Sequence, residues 1–390
     1  MQNTNKTKRI AVAVIFFVCG FITACWLSRL PEIQQYFGMS NALLGKLLLF
    51  FSLGSLIAMP FTGILAVRYG SKNITKWAAL TTCFLVSLIP VFPTANMLMP
   101  FFLTWGVLAG SLDVAMNGQA VMVEKLYGRS IMSSFHAIFS IGTAIGAAVG
   151  TVFADHQISF STHFFIATCF CLVITIWAVR HLVEDEKKIV HKAGEKQSAG
   201  FRLPTRAILP LGIIAFCGMS GESCLLDWSA IYMHKVVGKD VAFSALALTA
   251  FTTAMTIGRF LGDFLTMKFG KRRLLIFNAV TAIFGLSFSI IFINPFAVLI
   301  GFSIVGLSLS SIVPIIYSTA GNTPGVLPSV GISMASTIGY AGFFISPPLI
   351  GFLGDAINLR WGLAYTIILF FVMLILVFFY KFDDVALKVN

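Results

Sequence analysis

The sequence predicts an all-α membrane protein with twelve transmembrane helices. Hydrophobic residues make up 58% of the 390 residues and charged residues only 11%, whereas soluble domains are roughly 25% charged. The mean hydropathy is +0.92. Such a chain lacks the polar surface that a water-soluble fold needs. The composition therefore excludes secreted enzymes, disordered regulators and cytosolic α/β proteins.

Twelve apolar runs are long enough to cross a bilayer, since a spanning helix needs about 20 largely apolar residues. The predicted spans cover residues 10–30, 42–66, 75–93, 97–123, 132–154, 161–182, 207–233, 243–266, 273–293, 296–320, 329–352 and 360–380. We interpret the first run as a span and not as a cleaved signal, because no small-residue cleavage site follows it.

The basic residues lie mainly on one side of the predicted spans. Of the 27 Lys and Arg residues, 21 lie at the termini, in the central loop and in the loops on the same side. Five lie on the opposite side, and Arg259 lies inside the eighth span. The positive-inside rule therefore predicts that both termini and the central loop are cytoplasmic. The net charge of +12 reflects this topology and gives no reason to expect nucleic-acid binding.

A charged stretch divides the chain into two halves. We expect a six-helix bundle over 1–182, a solvated linker over 183–206 and a second bundle over 207–390. A shift of 200 residues brings matching residues of the two halves into register: Gly70 with Gly270, Phe102 with Phe302, Gly106 with Gly306, and Gly142 with Gly342. Several matches at one offset in equivalent spans indicate two parallel copies of a six-helix unit.

The loop after the second span resembles the signature of the major facilitator superfamily. It runs from Gly63 through Arg68 and Gly70 to Lys72, with Val67 at the position where the signature has Asp. The glycine allows a tight turn.

Longer stretches resemble a little-characterised bacterial branch of inner-membrane permeases, distantly related to the fucose/proton symporter. These stretches are Trp26-x-Ser28-Arg29-Leu30-Pro31, Asp113-Val-Ala-Met-Asn117-Gly-Gln119, Met132-Ser-Ser-Phe-His136-Ala, Asp227-Trp228-Ser229-Ala-Ile-Tyr232, Gly258-Arg259-x-x-Gly262-Asp263 and Ser336-Thr-x-Gly339-Tyr340-x-Gly342. The resemblance implies the major facilitator fold, with two pseudo-symmetric six-helix bundles, alternating access and a bacterial inner membrane.

Polar side chains inside the predicted spans are candidates for substrate or proton binding, because a charge at the bilayer centre costs at least ~2.5–3.5 kcal/mol. Asp113 and Asn117 share a helix face at a spacing of four, and could instead brace the span. His136 has an imidazole whose ordinary pKa of ~6.5 suits proton carriage, and could instead only pack. Glu222 lies among glycines and serines, and Trp26 could stack on a sugar ring or lie in an interfacial belt.

Other charged residues fit gating or structural ion pairs better. Arg68, Lys72 and Lys268 lie in the basic turns of the two halves. Asp227 lies near the outer end of the seventh span, so we expect a gate or a contact at that surface. Arg259 and Asp263 are four residues apart, which favours an ion pair within the helix or with the turn that follows it. Arg259 could instead pair with an acidic substrate.

These features together predict a secondary transporter. The seven cysteines show no metal spacing, and no phosphate loop or nucleophile–base pair is present. We therefore expect no enzyme activity, no metal and no cofactor. We expect a monomer in the lipid bilayer that moves a small polar solute, a sugar or related metabolite, together with protons. Two alternatives remain open: proton-driven efflux of amphipathic compounds, and a sensor that transports nothing.

Overall fold

The computed structural model describes residues 2–39, 41–185, 205–239 and 241–382. Over these ranges the chain is helical and contains no strand. The helices of the first half are α1 (Gln2–Leu27), α2 (Leu30–Tyr36), α3 (Asn41–Tyr69), α4 (Ser71–Leu85), α5 (Ala95–Tyr127), α6 (Met132–Asp155) and α7 (Phe160–Arg180). Those of the second half are α8 (Leu209–Lys235), α9 (Val241–Phe269), α10 (Lys271–Ile291), α11 (Pro295–Leu309), α12 (Ile312–Gly321), α13 (Pro328–Ala356) and α14 (Leu359–Phe379).

The helices confirm the predicted all-α membrane class. Among the described residues, eleven helical segments are long and apolar enough to cross a membrane. They include α4 extended by the 3-10 helix Val86–Val91, and α11 joined with α12. The remaining predicted span, 243–266, corresponds to α9. This helix is 29 residues long but carries Arg259, Asp263 and Lys268, and it is not among the eleven.

The backbone break of the second half does not lie at its proline pair. The pair Pro347-Pro348 predicts a break in the eleventh span, but α13 runs through both prolines. The backbone is interrupted instead at Ser310 and Ser311, between α11 and α12. Pro314 lies four residues after Ser310, so it has no N–H to donate to the Ser310 carbonyl and its ring crowds that group. The helix therefore restarts just before this proline.

The 200-residue repeat is visible in the backbone. Helices α3 and α9 begin and end at positions that differ by 200. Each ends at a glycine with positive φ, Gly70 at +81° and Gly270 at +79°. L-residues with a side chain rarely adopt this conformation, so glycine is the residue suited to both turns. Each glycine then caps the helix that follows.

Close helix packing repeats in the same register. A Cβ atom on Gly106 of α5 would lie 2.0 Å from the Phe51 carbonyl oxygen of α3. A Cβ atom on Gly306 of α11 would lie 2.3 Å from the Phe251 carbonyl oxygen of α9. Glycine at these positions lets the backbones approach closely, as is common between membrane helices. The same contact therefore joins the second and fourth spans of each half.

The chain forms two compact units. The first comprises Met1–Tyr127, Ile138–Leu203 and Pro324–Ser333, and the second comprises Gly128–Ala137, Pro204–Thr323 and Met334–Asn390. The predicted bundle boundaries at 182 and 207 stay a prediction. Most of the predicted linker, 186–204, lies outside the described residues.

Candidate functional site

An ion pair joins two helices of the second unit. Arg259 of α9 donates from Nη2 to the Glu222 Oε1 of α8 over 3.2 Å. Their side chains are 16% and 15% exposed, respectively. An ion pair this sheltered, in two helices of a membrane protein, is a candidate functional site. From the sequence, neither residue was expected to be the partner of the other, since they are 37 positions apart.

Asp263 caps the start of α6. Its Oδ1 accepts from the Ser133 backbone N–H at 2.8 Å, and its Oδ2 accepts from the Ser134 N–H at 2.9 Å. Negative charge at a helix N-terminus is favoured by the free amides and the helix dipole. Gly262 allows the approach, because a Cβ there would lie 2.6 Å from Ser133 Oγ. From the sequence, Asp263 was expected to contact Arg259 or the turn that follows α9. In the structure, these two hydrogen bonds connect it to the start of α6 instead.

His136 lies one turn into α6 from this cap. It is half-buried, its ring centroid lies 6.3 Å from that of Tyr317, and it lies within electrostatic range of Arg259. The second unit thus brings together four residues that the sequence marked separately: His136, Glu222, Arg259 and Asp263. We call these four residues the charged cluster.

The polar pair of the first unit is bonded within one helix. Asn117 of α5 is fully buried, and its Nδ2 donates to the Asp113 carbonyl oxygen at 2.8 Å and to Asp113 Oδ1 at 3.3 Å. The Asp113 carboxylate also lies within electrostatic range of Cys19 on α1. The predicted shared face of Asp113 and Asn117 is therefore present, and the amide steadies the carboxylate.

Trp26 lies in a buried aromatic cluster of the first unit. Its side chain is 2% exposed. Its ring centroid lies 5.4–5.6 Å from those of Phe51, Phe102 and Trp105. Such tilted and edge-on ring contacts stabilise a helix core. In this arrangement Trp26 packs against protein, and stacking on a sugar ring stays a prediction.

Asp227 lies apart from Glu222 on α8. It is exposed, and its Oδ2 accepts from Ser223 Oγ at 3.3 Å. Five residues separate the two carboxylates, which places them about 140° apart around the helix axis. Because Asp227 is a carboxylate on the same helix but on a different face, its substitution is a matched control for substitutions of Glu222.

The turn between α3 and α4 is held by acidic residues that follow α7. Lys72 forms an ion pair with Glu184. Asp185 Oδ1 accepts from the Ser71 backbone N–H at 2.9 Å and from Ser71 Oγ at 2.7 Å, and its Oδ2 accepts from the Lys72 N–H at 3.0 Å. Asp185 thus supplies a carboxylate at a signature turn that has Val67 in place of Asp. Sequence reasoning missed it because the two segments are more than 100 residues apart, although the acidic run 184–186 was a signal.

The remaining basic candidates contact aromatic rings. The guanidinium of Arg68 lies 5.2 Å from the Tyr69 ring centroid. The ammonium of Lys268 lies 5.3 Å from the ring centroid of Phe269. These equivalent positions of the repeat therefore make the same cation–π contact.

Arg29, counted from the sequence among the five basic residues of the opposite side, is a further buried charge. Arg29 is 1% exposed. Its Nη2 donates to Glu32 Oε2 and to the Ile158 carbonyl oxygen, each at 2.6 Å, and its Nη1 donates to the Gly150 carbonyl oxygen at 3.3 Å. These bonds join the end of α1 to the end of α6 and the turn after it, which indicates a structural role.

No group of three or more His, Cys, Asp or Glu side chains within the described ranges could hold a metal ion. The absence of a cofactor stays a prediction.

Comparisons with known proteins identify the family. The model of the Major Facilitator Superfamily matches residues 12–330 and 211–390. An uncharacterized MFS-type transporter of Yersinia pestis is 30% identical over 90% of this chain and 90% of its own length. Membrane protein MosC of Rhizobium meliloti is 30% identical over 94% of this chain and 89% of its own length.

Solved structures show the same fold. The transporter FucP in its outward conformation superposes with a TM-score of 0.76 at 18% identity, covering 95% of this chain and 98% of FucP. A second structure of FucP, the E. coli fucose/proton symporter, gives a TM-score of 0.66 with the same coverage. Family model, relatives and fold agree, and they confirm the resemblance seen in the sequence: the chain is a multi-pass membrane protein that belongs to the Major Facilitator Superfamily of transporters.

Proposed function

We propose that this transporter takes up a small polar solute, a sugar or related metabolite, together with protons. In this proposal it works by alternating access as a monomer in a bacterial inner membrane, with both termini in the cytoplasm. The observation that carries the proposal is the ion pair between Glu222 and Arg259. The similarity of the fold to a fucose/proton symporter supports the solute class.

The ion pair couples a proton to a solute through charge balance. With Glu222 ionised, the pair is neutral and its two groups satisfy each other. A proton on Glu222 removes the negative charge that Glu222 offers to Arg259, which is costly in a poorly solvated site. The Arg259 Nη2 group, which donates to Glu222 in the ion pair, can then donate to an acceptor oxygen of the solute, since a guanidinium group binds oxygen acceptors well. Proton and solute therefore favour each other's binding, as symport requires.

The first unit has a polar pair of its own. Asp113 and Asn117 present a carboxylate and an amide on one face of α5. Since Asn117 donates to Asp113, a solute hydroxyl at Asp113 would find a carboxylate already held in place. We assign Asp113 to solute binding and Glu222 to proton binding. Replacing Asp113 with Asn should therefore weaken the apparent solute affinity and leave the coupling of bound solute to protons intact.

The residues at the helix ends serve gating in this proposal. Asp263 holds the first turn of α6 within the second unit, and Lys72 with Glu184 holds the start of α4 within the first. In these bonds charged side chains contact the first turn of a helix. They can therefore form and break without disturbing the core of a helix. Lys268 is placed in the same group. We assign the exposed Asp227 to a contact at the outer surface that transport does not require.

The test uses the pure protein in liposomes with an imposed pH gradient, acid outside. A panel of sugars, polyols, carboxylates and cationic drugs is presented outside, and internal solute is measured by mass spectrometry. We expect accumulation of one polar class by the wild type, loss of accumulation in Glu222→Gln, and retention in the matched variant Asp227→Asn.

The other outcomes decide against the proposal. Uptake of a polar solute that is equal in Glu222→Gln and the wild type removes the proposed role of the ion pair. Active expulsion of cationic amphipathic compounds would instead assign the chain to efflux. If the folded protein transports no solute of the panel, the alternative of a sensor that transports nothing is favoured.

A further inference from the structure

Two cysteines of the first unit face each other between α4 and α7. Cys83 and Cys171 are both fully buried in the core of that unit. The Thr168 Oγ1 donates to the Cys83 carbonyl oxygen at 2.9 Å, and the Thr175 Oγ1 lies 3.6 Å from Cys83 Sγ. On α7, residues 168, 171 and 175 share one face, since they are separated by one and two helical turns. Cys171 therefore lies on the face that meets Cys83.

The two thiols lie close enough to interact. Cys83 Sγ lies 3.6 Å from the Thr175 hydroxyl, one turn along α7 from Cys171, and the two thiols interact electrostatically. The nearby Cys25 on α1 lies within electrostatic range of Cys171, but its own Sγ is directed at the Gly146 carbonyl oxygen, 4.0 Å away. A disulfide needs its two Cβ atoms about 3.5–4.5 Å apart. Thiols that face each other across two packed helices are placed for such a bond.

We propose that Cys83 and Cys171 are a redox-modification site: a membrane-soluble two-electron oxidant joins them in a disulfide that links α4 to α7. With an azodicarboxamide such as diamide, one thiol adds to the N=N bond and the second sulfur displaces the hydrazine nitrogen from the first. One S–S bond forms, and two electrons and two protons pass to the azo group, which becomes a hydrazine. A quinone would accept the same electrons and protons.

The test is a thiol map of the folded protein in liposomes. The variant Cys169→Ser serves as the background, because Cys169 is exposed and open to cross-linking between chains. Diamide treatment is followed by denaturation, maleimide labelling and peptide mass spectrometry. We expect a loss of two free thiols per chain, a linked peptide pair that contains Cys83 and Cys171, and full recovery after dithiothreitol. Adding Cys25→Ser should leave the linked pair unchanged, whereas adding Cys83→Ser should abolish it.

The proposal is overturned if both thiols remain free in the folded background variant, or if Cys171 pairs with Cys25. The linked peptide pair is detected in the Cys169→Ser variant itself, so a folding defect in Cys83→Ser does not decide the outcome. A second expectation rests on the proposed function: both helices lie in the first unit, so the disulfide should leave the rate of solute uptake unchanged. Since the thiol map needs no transport, failure of the proposed function and failure of the disulfide are distinguishable.

Discussion

The ion pair between Glu222 and Arg259 makes a quantitative prediction about stability. At the observed N–O separation of 3.2 Å, the gross attraction is about 5 kcal/mol for an effective dielectric constant near 20 and about 1 kcal/mol in bulk water. The side chains are about one-sixth exposed, so the site is closer to the first case. Removing one partner of a buried pair typically costs about 3–5 kcal/mol, whereas replacing both with apolar residues is close to neutral.

We therefore expect Glu222→Leu and Arg259→Leu each to destabilise the second unit by about 3 kcal/mol, near the lower end of that range. At about 2–4 °C for each kcal/mol, the melting temperature should fall by about 6–12 °C. The double variant should recover most of this loss. The exposed carboxylate variant Asp227→Asn should stay within about 0.5 kcal/mol of wild type.

The assay is thermal unfolding of the purified protein in detergent, followed by tryptophan fluorescence at one fixed heating rate. A fixed rate is needed because membrane proteins often unfold irreversibly, so the melting temperature is an operational quantity. The reasoning is refuted if the two single losses add up in the double variant, or if both single variants melt within about 2 °C of the wild type, a shift worth no more than ~1 kcal/mol.

Two further predictions concern the first unit. Gly106→Ala should lower the melting temperature, because its Cβ would lie 2.0 Å from the Phe51 carbonyl oxygen and overpacking costs about 1–3 kcal/mol; Gly45→Ala, with open space around it, should not. An equal melting temperature for both variants would contradict the packing. Asp185→Ala should cost about 1–2 kcal/mol through the lost helix cap, measured by the same unfolding assay. The Glu184 side chain is 81% exposed, so Glu184→Gln should change the free energy of unfolding by less than ~0.5 kcal/mol. An effect as large as that of Asp185→Ala would contradict the assignment of Asp185 as the helix cap.

Much of the fold could be predicted from the sequence because its signals are local. Apolar length sets each span, and a glycine with positive φ after each second span sets the turns at Gly70 and Gly270. The repeat offset of 200 residues located both. The break at Ser310 was not predicted, because a break was expected at the proline pair 347–348 instead. In α13 that pair is accommodated within a continuous helix.

The site was harder to predict because its partners are distant in sequence. The candidates Glu222, Arg259 and His136 could be named one by one, since each is polar in an apolar span. Their pairing depends on how α6, α8 and α9 pack, which a periodicity of polar residues along one helix does not encode. For the same reason Arg259 and Asp263 were expected to pair along one helix, and the helix cap at Ser133 was not foreseen.

Buried polar residues near helix ends gave misleading signals. Arg29 carries a charge next to a predicted loop, so the positive-inside count treated it as solvent-facing. The structure buries it against carbonyl oxygens of α6 and the following turn. Trp26 could equally have been an interfacial or a ligand-stacking residue by its position, and only the neighbouring rings of α3 and α5 show that it packs inside the unit.

The most direct test of the central claim is a recording of internal pH in liposomes that contain the pure protein and a trapped pH-sensitive dye. No pH gradient is imposed, and the solute found in the uptake panel is added outside. Proton-coupled uptake through Glu222 predicts acidification of the interior that follows solute entry, and no acidification with Glu222→Gln. Solute entry without a change of internal pH, or equal acidification in the wild type and Glu222→Gln, would contradict the account.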